Sequence, residues 1–358
     1  MFNGARILVA PLDWGLGHAT RCIPIIRSLL QHGAVPVIGA DGGPLTLLSK
    51  EFPDLERVRI PGLAIHYGKG TSQLWTMARQ FPAMARSVKR EHATFEGMRD
   101  RLKLDAVISD QRFGIRSSSL PSIVITHQLF PFTPFAQGAL RKLNLLQLSR
   151  FDRCWIMDQP EAPGLAGELS HGDHMPSNAR YIGIVSRMVD DGMAQAVPQK
   201  KYRIVAVISG PEPQRTILEN ILAPALQQIE GKHMLVRGLP DEAGLVEQGN
   251  VSFVPHLSGK ELSALMCDAE LIISRSGYTT LMDLVALDRT ALVIPTPGQD
   301  EQEYLARLHR STGLFIVQNQ NDLDVNAALA AVQHRKTSTI LFNGTLLDEA
   351  MKDLSTLL

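Results

Sequence analysis

In the N-terminal half, the residues best suited to chemistry lie in Asp13-Trp14-Gly15-Leu16-Gly17-His18-Ala19-Thr20-Arg21. Gly15 and Gly17 let the backbone approach a ligand closely, and a helix starting just beyond offers N–H groups and a positive dipole end. His18 adds a ring that titrates near neutrality and Arg21 a fixed cation. Asp110 and His127 each close a predicted strand. For a reaction in which a base takes the proton of a hydroxyl, His18 is the first candidate, Asp110 the second and His127 the third. A satisfied structural histidine is the competing reading of His127. The glycine stretch also fits a plain turn between strand and helix, or a dinucleotide fingerprint in which Asp41 binds a ribose. Against the dinucleotide, Thr20 stands where a third glycine is needed.

Two further stretches sit close together in the C-terminal half. Ile272-Ile273-Ser274-Arg275-Ser276-Gly277-Tyr278-Thr279-Thr280-Leu281-Met282-Asp283 reads as strand, glycine turn and helix. Small residues at a helix start (Ser276, Gly277, Thr279) suit a diphosphate. Asp283, about two turns into that helix, can accept from two vicinal ribose hydroxyls, or can be a solvated helix-face aspartate. Leu292 to Tyr304 leaves a strand through Pro295, Pro297 and Gly298 into a polar helix start carrying Asp300, Gln302 and Glu303. The His/Asp spacings, including His171-x-x-His174, make no convincing metal set.

The elements around these stretches alternate. Strands are predicted at Arg6–Ala10, Val35–Ala40, Leu55–Ile60, Ala106–Ser109 and Ser122–Thr126, with helices at His18–Gln31, Leu45–Glu51 and Ser72–Arg101. That is the rhythm of a parallel sheet, and ligands gather at the carboxyl ends of such strands. Gln159–Pro198, rich in Gly, Pro, Ser and Asp, reads as a domain connection containing one strand at Arg180–Ile184, with Arg187–Pro198 as its flexing segment. A second series follows: strands Ile204–Ser209, His233–Arg237, Val251–Val254, Leu271–Ser274 and Ala291–Pro295, with helices Thr216–Ile229, Lys260–Cys267 and Thr279–Leu287. A last helix spans about Leu346–Leu358.

The 358 residues, 44% hydrophobic with 36 basic and 36 acidic side chains, exclude disordered, collagenous and disulfide-scaffold classes and favour two domains over one. Cys22, Cys154 and Cys267 are scattered, which suits a reducing cytoplasm. The start of the chain is too briefly apolar for a signal peptide, and no window reaches a membrane span, so a soluble protein or one resting on a membrane surface is expected. Residues 1–185 carry 21 basic against 15 acidic side chains, and the remainder the reverse. The basic half suits an anionic partner such as a lipid surface, though chance asymmetry accounts for it equally well. Leu129–Phe151, with Phe130, Phe132, Phe135, Arg141, Lys142 and Arg150, suits an interfacial helix as well as ordinary core packing.

Taken together, Ser274-Arg275-Ser276-Gly277…Asp283 and Ile294-Pro295…Asp300-Glu301-Gln302-Glu303 resemble the nucleotide-sugar-binding region of GT-B glycosyltransferases. The likeness is nearest to family 28, typified by the UDP-N-acetylglucosamine transferase of lipid II synthesis, and Gly15-Leu16-Gly17-His18 resembles that family's N-terminal acceptor and diphosphate loop. The resemblance implies an α/β fold of two doubly wound Rossmann-like domains facing a cleft. Residues 1–186 would bind the acceptor and 187–345 the nucleotide sugar, with helix 346–358 packing back on the first domain. It implies that Asp283 binds the donor ribose, that Gln302 and Glu303 meet the donor sugar, that Arg187 lies near the donor phosphates, and that the backbone of Phe253 and Val254 holds the uracil edge. Gly15, Gly17 and Arg21 would form the diphosphate loop. Of the family's G-G-S-x-G loop only Ser209-Gly210 survives, and Glu303 replaces a usual Gln, so the donor sugar is left open.

The implied reaction is metal-independent inverting transfer from a UDP-sugar, as co-substrate and without another cofactor, to a hydroxyl acceptor in cell-envelope or polysaccharide synthesis, a lipid-linked acceptor being one that the resemblance allows. Arg187, Arg275 and loop N–H groups would offset the leaving-group charge. Peripheral membrane contact is expected on this reading, and nucleic acid is not a partner. Two alternatives stay open. Gly15-x-Gly17-His18-x-x-Arg21 also resembles the loop of UDP-sugar hydrolases, in which water replaces the acceptor. A non-catalytic nucleotide-sugar-binding protein could keep the two domains without turnover.

Overall fold

A computed structural model describes residues 1–13, 15–62, 73–133, 137–189, 200–333, 342 and 344–358. The chain divides into two compact units, one holding residues 1–62, 74–186 and 342–358, the other 187–333. Each is a parallel sheet covered by helices.

In the first unit the order is β1 (Arg6–Pro11), α1 (Leu16–Gln31), β2 (Val35–Ala40), α2 (Gly42–Glu51), β3 (Glu56–Arg59), α3 (Gln73–Leu102), β4 (Ala106–Asp110), β5 (Ser122–Thr126), α4 (Gln137–Leu148), β6 (Arg153–Ile156) and β7 (Ala179–Tyr181). Among the described residues its sheet runs β3-β2-β1-β4-β5-β6-β7. Strands β4 and β5 are buried along their whole length, as parallel strands covered on both faces must be. Helix α1 buries Ala19, Cys22, Ile23, Ile26 and Leu29, one stripe at spacings of three and four.

The second unit holds β8 (Tyr202–Val207), α5 (Gln214–Gln227), β9 (His233–Val236), β10 (Val246–Gln248), β11 (Val251–Val254), α6 (Gly259–Cys267), β12 (Ala269–Arg275), α7 (Tyr278–Ala286), β13 (Leu292–Ile294), α8 (Asp300–Thr312), β14 (Ile316–Val317) and α9 (Val325–Val332). Its described strands run β10-β11-β9-β8-β12-β13-β14, with only β10 antiparallel. The core packs Ile204, Ala206, Leu222, Leu235, Leu271, Ile273, Leu292 and Leu329 together. The last helix, α10 (Thr345–Leu357), belongs to the first unit, where Asp353 pairs with Arg153 at 2.6 Å and Met351 and Leu354 are buried.

The structure extends the expected alternation at several points. Strand β6 lies in a stretch given no element from the sequence, because its apolar run Cys154-Trp155-Ile156 is too short to show a period. Helix α1 starts at Leu16 rather than His18. Gly15, at φ 148°, turns the chain into it, a conformation that L side chains rarely adopt. The segment Arg187–Pro198 lies outside the described residues beyond Val189, as does Phe135. No helix among the described residues is long and apolar enough to cross a membrane.

Candidate functional site

In each sheet the strand order reverses at one point, between β1 and β4 in the first unit and between β8 and β12 in the second. Loops leaving the carboxyl ends on either side of such a point diverge and leave room for a ligand. In the first unit the register sets Pro11 opposite Asp110 and Asp110 opposite Ile125. The ends of β1, β4 and β5 are therefore neighbours, and residues separated by up to 109 positions, His18, Arg21, Asp110 and His127, meet above them.

Asp110 has no exposed side-chain surface, and Arg21 is 3% exposed. Arg21 holds the carboxylate with two bonds, Nε to Oδ2 at 2.7 Å and Nη2 to Oδ1 at 2.5 Å. The His18 ring, 18% exposed, sets its Nδ1 at 2.9 Å from Asp110 Oδ2 and 2.6 Å from Arg21 Nη2. Arg21 Nη1 lies 3.2 Å from His127 Nδ1. Burial would raise the Asp110 pKa, but the adjoining Arg21 and His18 outweigh it and hold the carboxyl at about 2. His18 is lowered from its ordinary value, first by burial and then by Arg21, against an opposing pull from Asp110. The three expected base candidates thus form one hydrogen-bonded group in which Asp110 is ionised and His18 is the partly exposed ring.

Two N-terminal expectations are corrected. Arg21 does not reach out to a diphosphate, because its guanidinium is buried against Asp110. Asp41 is no ribose acid for a dinucleotide: its carboxylate accepts from Gly42 N at 2.9 Å to cap α2 and pairs with Arg59 at 2.7 Å. Gly15 and Gly17 remain at the start of α1, where no side chain caps Gly15.

In the second unit the two C-terminal stretches are bound into one construction. Ser276 Oγ donates to the carbonyl of Gln302 at 2.9 Å, joining the turn before α7 to the first turn of α8. Gln302 Oε1 accepts from Thr296 N, its Nε2 donates to Gln299, and Glu303 accepts from Gly298 N at 2.9 Å. Gln302 and Glu303 therefore brace the Pro/Gly turn, a role no spacing rule indicates. Asp300 opens α8 beside them, its pKa raised by burial and by Glu303. Helix α7 starts after Gly277 with no side-chain cap, so its positive end faces the strand ends. Thr279 lies in its first turn. Asp283 is 6% exposed among buried Leu281, Met282 and Leu284, which removes the solvated-face reading.

Several other expectations for this unit change. Arg275 is 1% exposed and is spent inside the protein, donating to Gln214 O, Pro295 O and Gln320 Oε1 at 2.9, 3.3 and 2.7 Å. Burial lowers its pKa to about 10. It ties together the start of α5, the turn after β13 and the loop at Gln320. Phe253 pairs with both Val246 and Leu235, and the Val254 carbonyl accepts from Arg237 N at 2.9 Å. After Ser209 and Gly210 the chain continues as Pro211-Glu212-Pro213. Neither proline has an N–H, and Glu212 accepts from Arg215 at 2.6 Å and from Thr216 N at 3.3 Å. The chain's own carboxylate meets the positive end of α5. Arg187 is half-buried, with its carbonyl and methylenes against Gly259.

Helix α4 both packs and exposes itself. Leu148 is buried, Leu146 is 53% exposed, and Arg141 stands 5.8 and 5.5 Å from the centres of the Phe130 and Phe132 rings. Beside it is a hollow of about 710 Å³ lined by Phe130, Arg141, Lys142, Leu145 and His171. Among the described residues no group of three or more His, Cys, Asp or Glu is placed to hold a metal.

Comparison with known proteins agrees with this architecture. Residues 250–344 match the model of the glycosyltransferase family 28 C-terminal domain. The UDP-N-acetylglucosamine--N-acetylmuramyl-(pentapeptide) pyrophosphoryl-undecaprenol N-acetylglucosamine transferase of Prochlorococcus marinus subsp. pastoris is 28% identical over 131 residues, which is 36% of this chain and 36% of that protein. The alignment thus spans about a third of that relative's length. Over nearly full lengths, the spinosyn rhamnosyltransferase SpnG superposes with a TM-score of 0.62 at 17% identity, covering 98% of this chain and 95% of that one. MurG of Acinetobacter baumannii does so with a TM-score of 0.52 at 14% identity, covering 99% and 95%. The fold is that of the GT-B glycosyltransferases, two Rossmann-like domains, and the resemblance to family 28 holds.

Proposed function

We propose that this chain transfers a glycosyl group from a UDP-sugar to a hydroxyl acceptor, with inversion, using His18 as the base. The observation that carries this reading is the His18–Asp110 pair at the switch point of the first sheet, in a chain whose residues 250–344 match a sugar-transferase domain. Asp110 Oδ2 and Arg21 Nη2 both face His18 Nδ1, and it is the tautomer in which Nδ1–H donates to the ionised Asp110 that leaves Nε2 with its lone pair, to take the acceptor's proton as the oxygen attacks the anomeric carbon. Inversion needs no covalent intermediate: the new C–O bond forms as the bond to the diphosphate breaks. The N-terminal end of α7 carries partial positive charge suited to the departing diphosphate, and Asp283 is the candidate ribose contact. A lipid-linked acceptor is the finer form of the proposal, since the matched relative's name describes such an acceptor and the hollow beside α4 joins aromatic and cationic side chains.

The test is UDP release from UDP-sugars, with and without hydroxyl acceptors, in the wild type and His18→Ala. Acceptor-dependent release that disappears in the variant, at unchanged UDP affinity, supports transfer; full activity of His18→Ala removes His18 from the mechanism. Release at the same rate without any acceptor supports hydrolysis, the second reading, which the Gly15-x-Gly17-His18-x-x-Arg21 pattern favours. Tight UDP binding with no turnover supports a binding protein.

A further inference from the structure

We propose that Arg21 is a positioning residue for His18: by occupying both oxygens of Asp110 and standing against the same imidazole nitrogen, it sets the protonation state in which that ring meets substrate. This rests on the reading of His18 as the base. A histidine paired with an unshared carboxylate gains a proton easily, because the imidazolium is drawn to a full negative charge. Here that charge is already shared. Arg21 Nε and Nη2 take Oδ2 and Oδ1, and Nη2 is nearer to His18 Nδ1, at 2.6 Å, than the carboxylate is, at 2.9 Å. With Arg21 3% exposed and Asp110 fully covered, solvent screens little of this. The groups facing His18 are Arg21 on its own helix, Asp110 at the end of β4 and His127 at the end of β5. The sum of the Arg21 and Asp110 charges is zero, so the ring meets an oriented carboxylate without the net negative field that would keep it protonated. Such a base stays ready below neutrality and returns its captured proton to water easily, at the cost of some basic strength.

The test needs no substrate. Histidine ring nitrogens are labelled with ¹⁵N, the His18 signals are identified by their loss in His18→Gln, and their titration is followed in the wild type, Arg21→Gln, Asp110→Asn and the double variant. Removing Arg21 is expected to raise the His18 midpoint by about one pH unit in either background, wild type to Arg21→Gln and Asp110→Asn to the double variant. If Arg21→Gln does not fold the second comparison decides: both members, Asp110→Asn with its unpaired Arg21 and the double variant with neither charge, are first shown to unfold cooperatively in urea. An unchanged or lowered midpoint on removing Arg21 in a folded background overturns the proposal and leaves Arg21 a structural tie. The acid limb of the UDP-release profile, measured on the same proteins, tests the base reading separately: a midpoint that moves while the limb stays still retains the positioning role and rejects His18 as base.

Discussion

Asp110→Asn removes the one fully covered carboxylate of the N-terminal group, and its consequence for stability can be worked out from the structure. In the folded chain the Asp110 carboxyl is held at about 2, against an ordinary value of 3.8. A folded-state pKa below the unfolded one means that ionisation favours the native state. That contribution is complete above pH 4 to 5 and is lost as the pH falls through 3.8 toward 2. At 1.36 kcal/mol per pH unit it amounts to about 2 kcal/mol. At neutral pH the variant also leaves Arg21 without its charge partner, so the total loss is roughly 3–5 kcal/mol. The assay is urea unfolding of wild type and Asp110→Asn at pH 7, 5, 3.5 and 2.5. Other carboxylates titrate in both proteins, so the difference between the two isolates this site. The difference should be largest at pH 5 to 7 and shrink by about 2 kcal/mol toward the acid end. A difference that is the same at every pH would refute the account of Asp110 as an ionised, Arg21-held carboxylate.

His18→Ala should lower acceptor-dependent UDP release by about 10²–10⁴-fold while the UDP-induced rise in melting temperature is kept. Asp283→Asn should erase a preference for UDP over 2′-deoxy-UDP that in the wild type is roughly tenfold or more, read by calorimetry; equal loss for both nucleotides would remove the ribose contact. Arg275→Lys replaces two donor nitrogens, Nη1 and Nη2, by a single ammonium nitrogen and should cost roughly 1–3 kcal/mol in urea unfolding.

Much of the fold was legible because the strands are short apolar runs between helix-period segments and glycine turns. Val35–Ala40, Ser122–Thr126 and Val251–Val254 fall where the sequence places them. The edge pieces were not: β10 and β14 are three and two residues long, too short to show a period.

What the sequence by itself determined is which side chains stand at strand ends and helix starts. Apolar periodicity and glycine set the local conformation, and that is enough to mark His18, Asp110, His127 and the turn at Ser276–Gly277. What only the tertiary structure decided is how those side chains are used. Arg21 and Arg275 look like anion-binding cations in the chain, yet both are buried and bonded to protein acceptors, because the sheet brings Asp110 to one, and the start of α5 and two loops meet the other. Gln302 and Glu303 hold a turn in the folded chain, a role that their spacing in the sequence does not show. A charged or amide side chain takes the partners that packing puts within about 3 Å, and strand register, not sequence distance, chooses them.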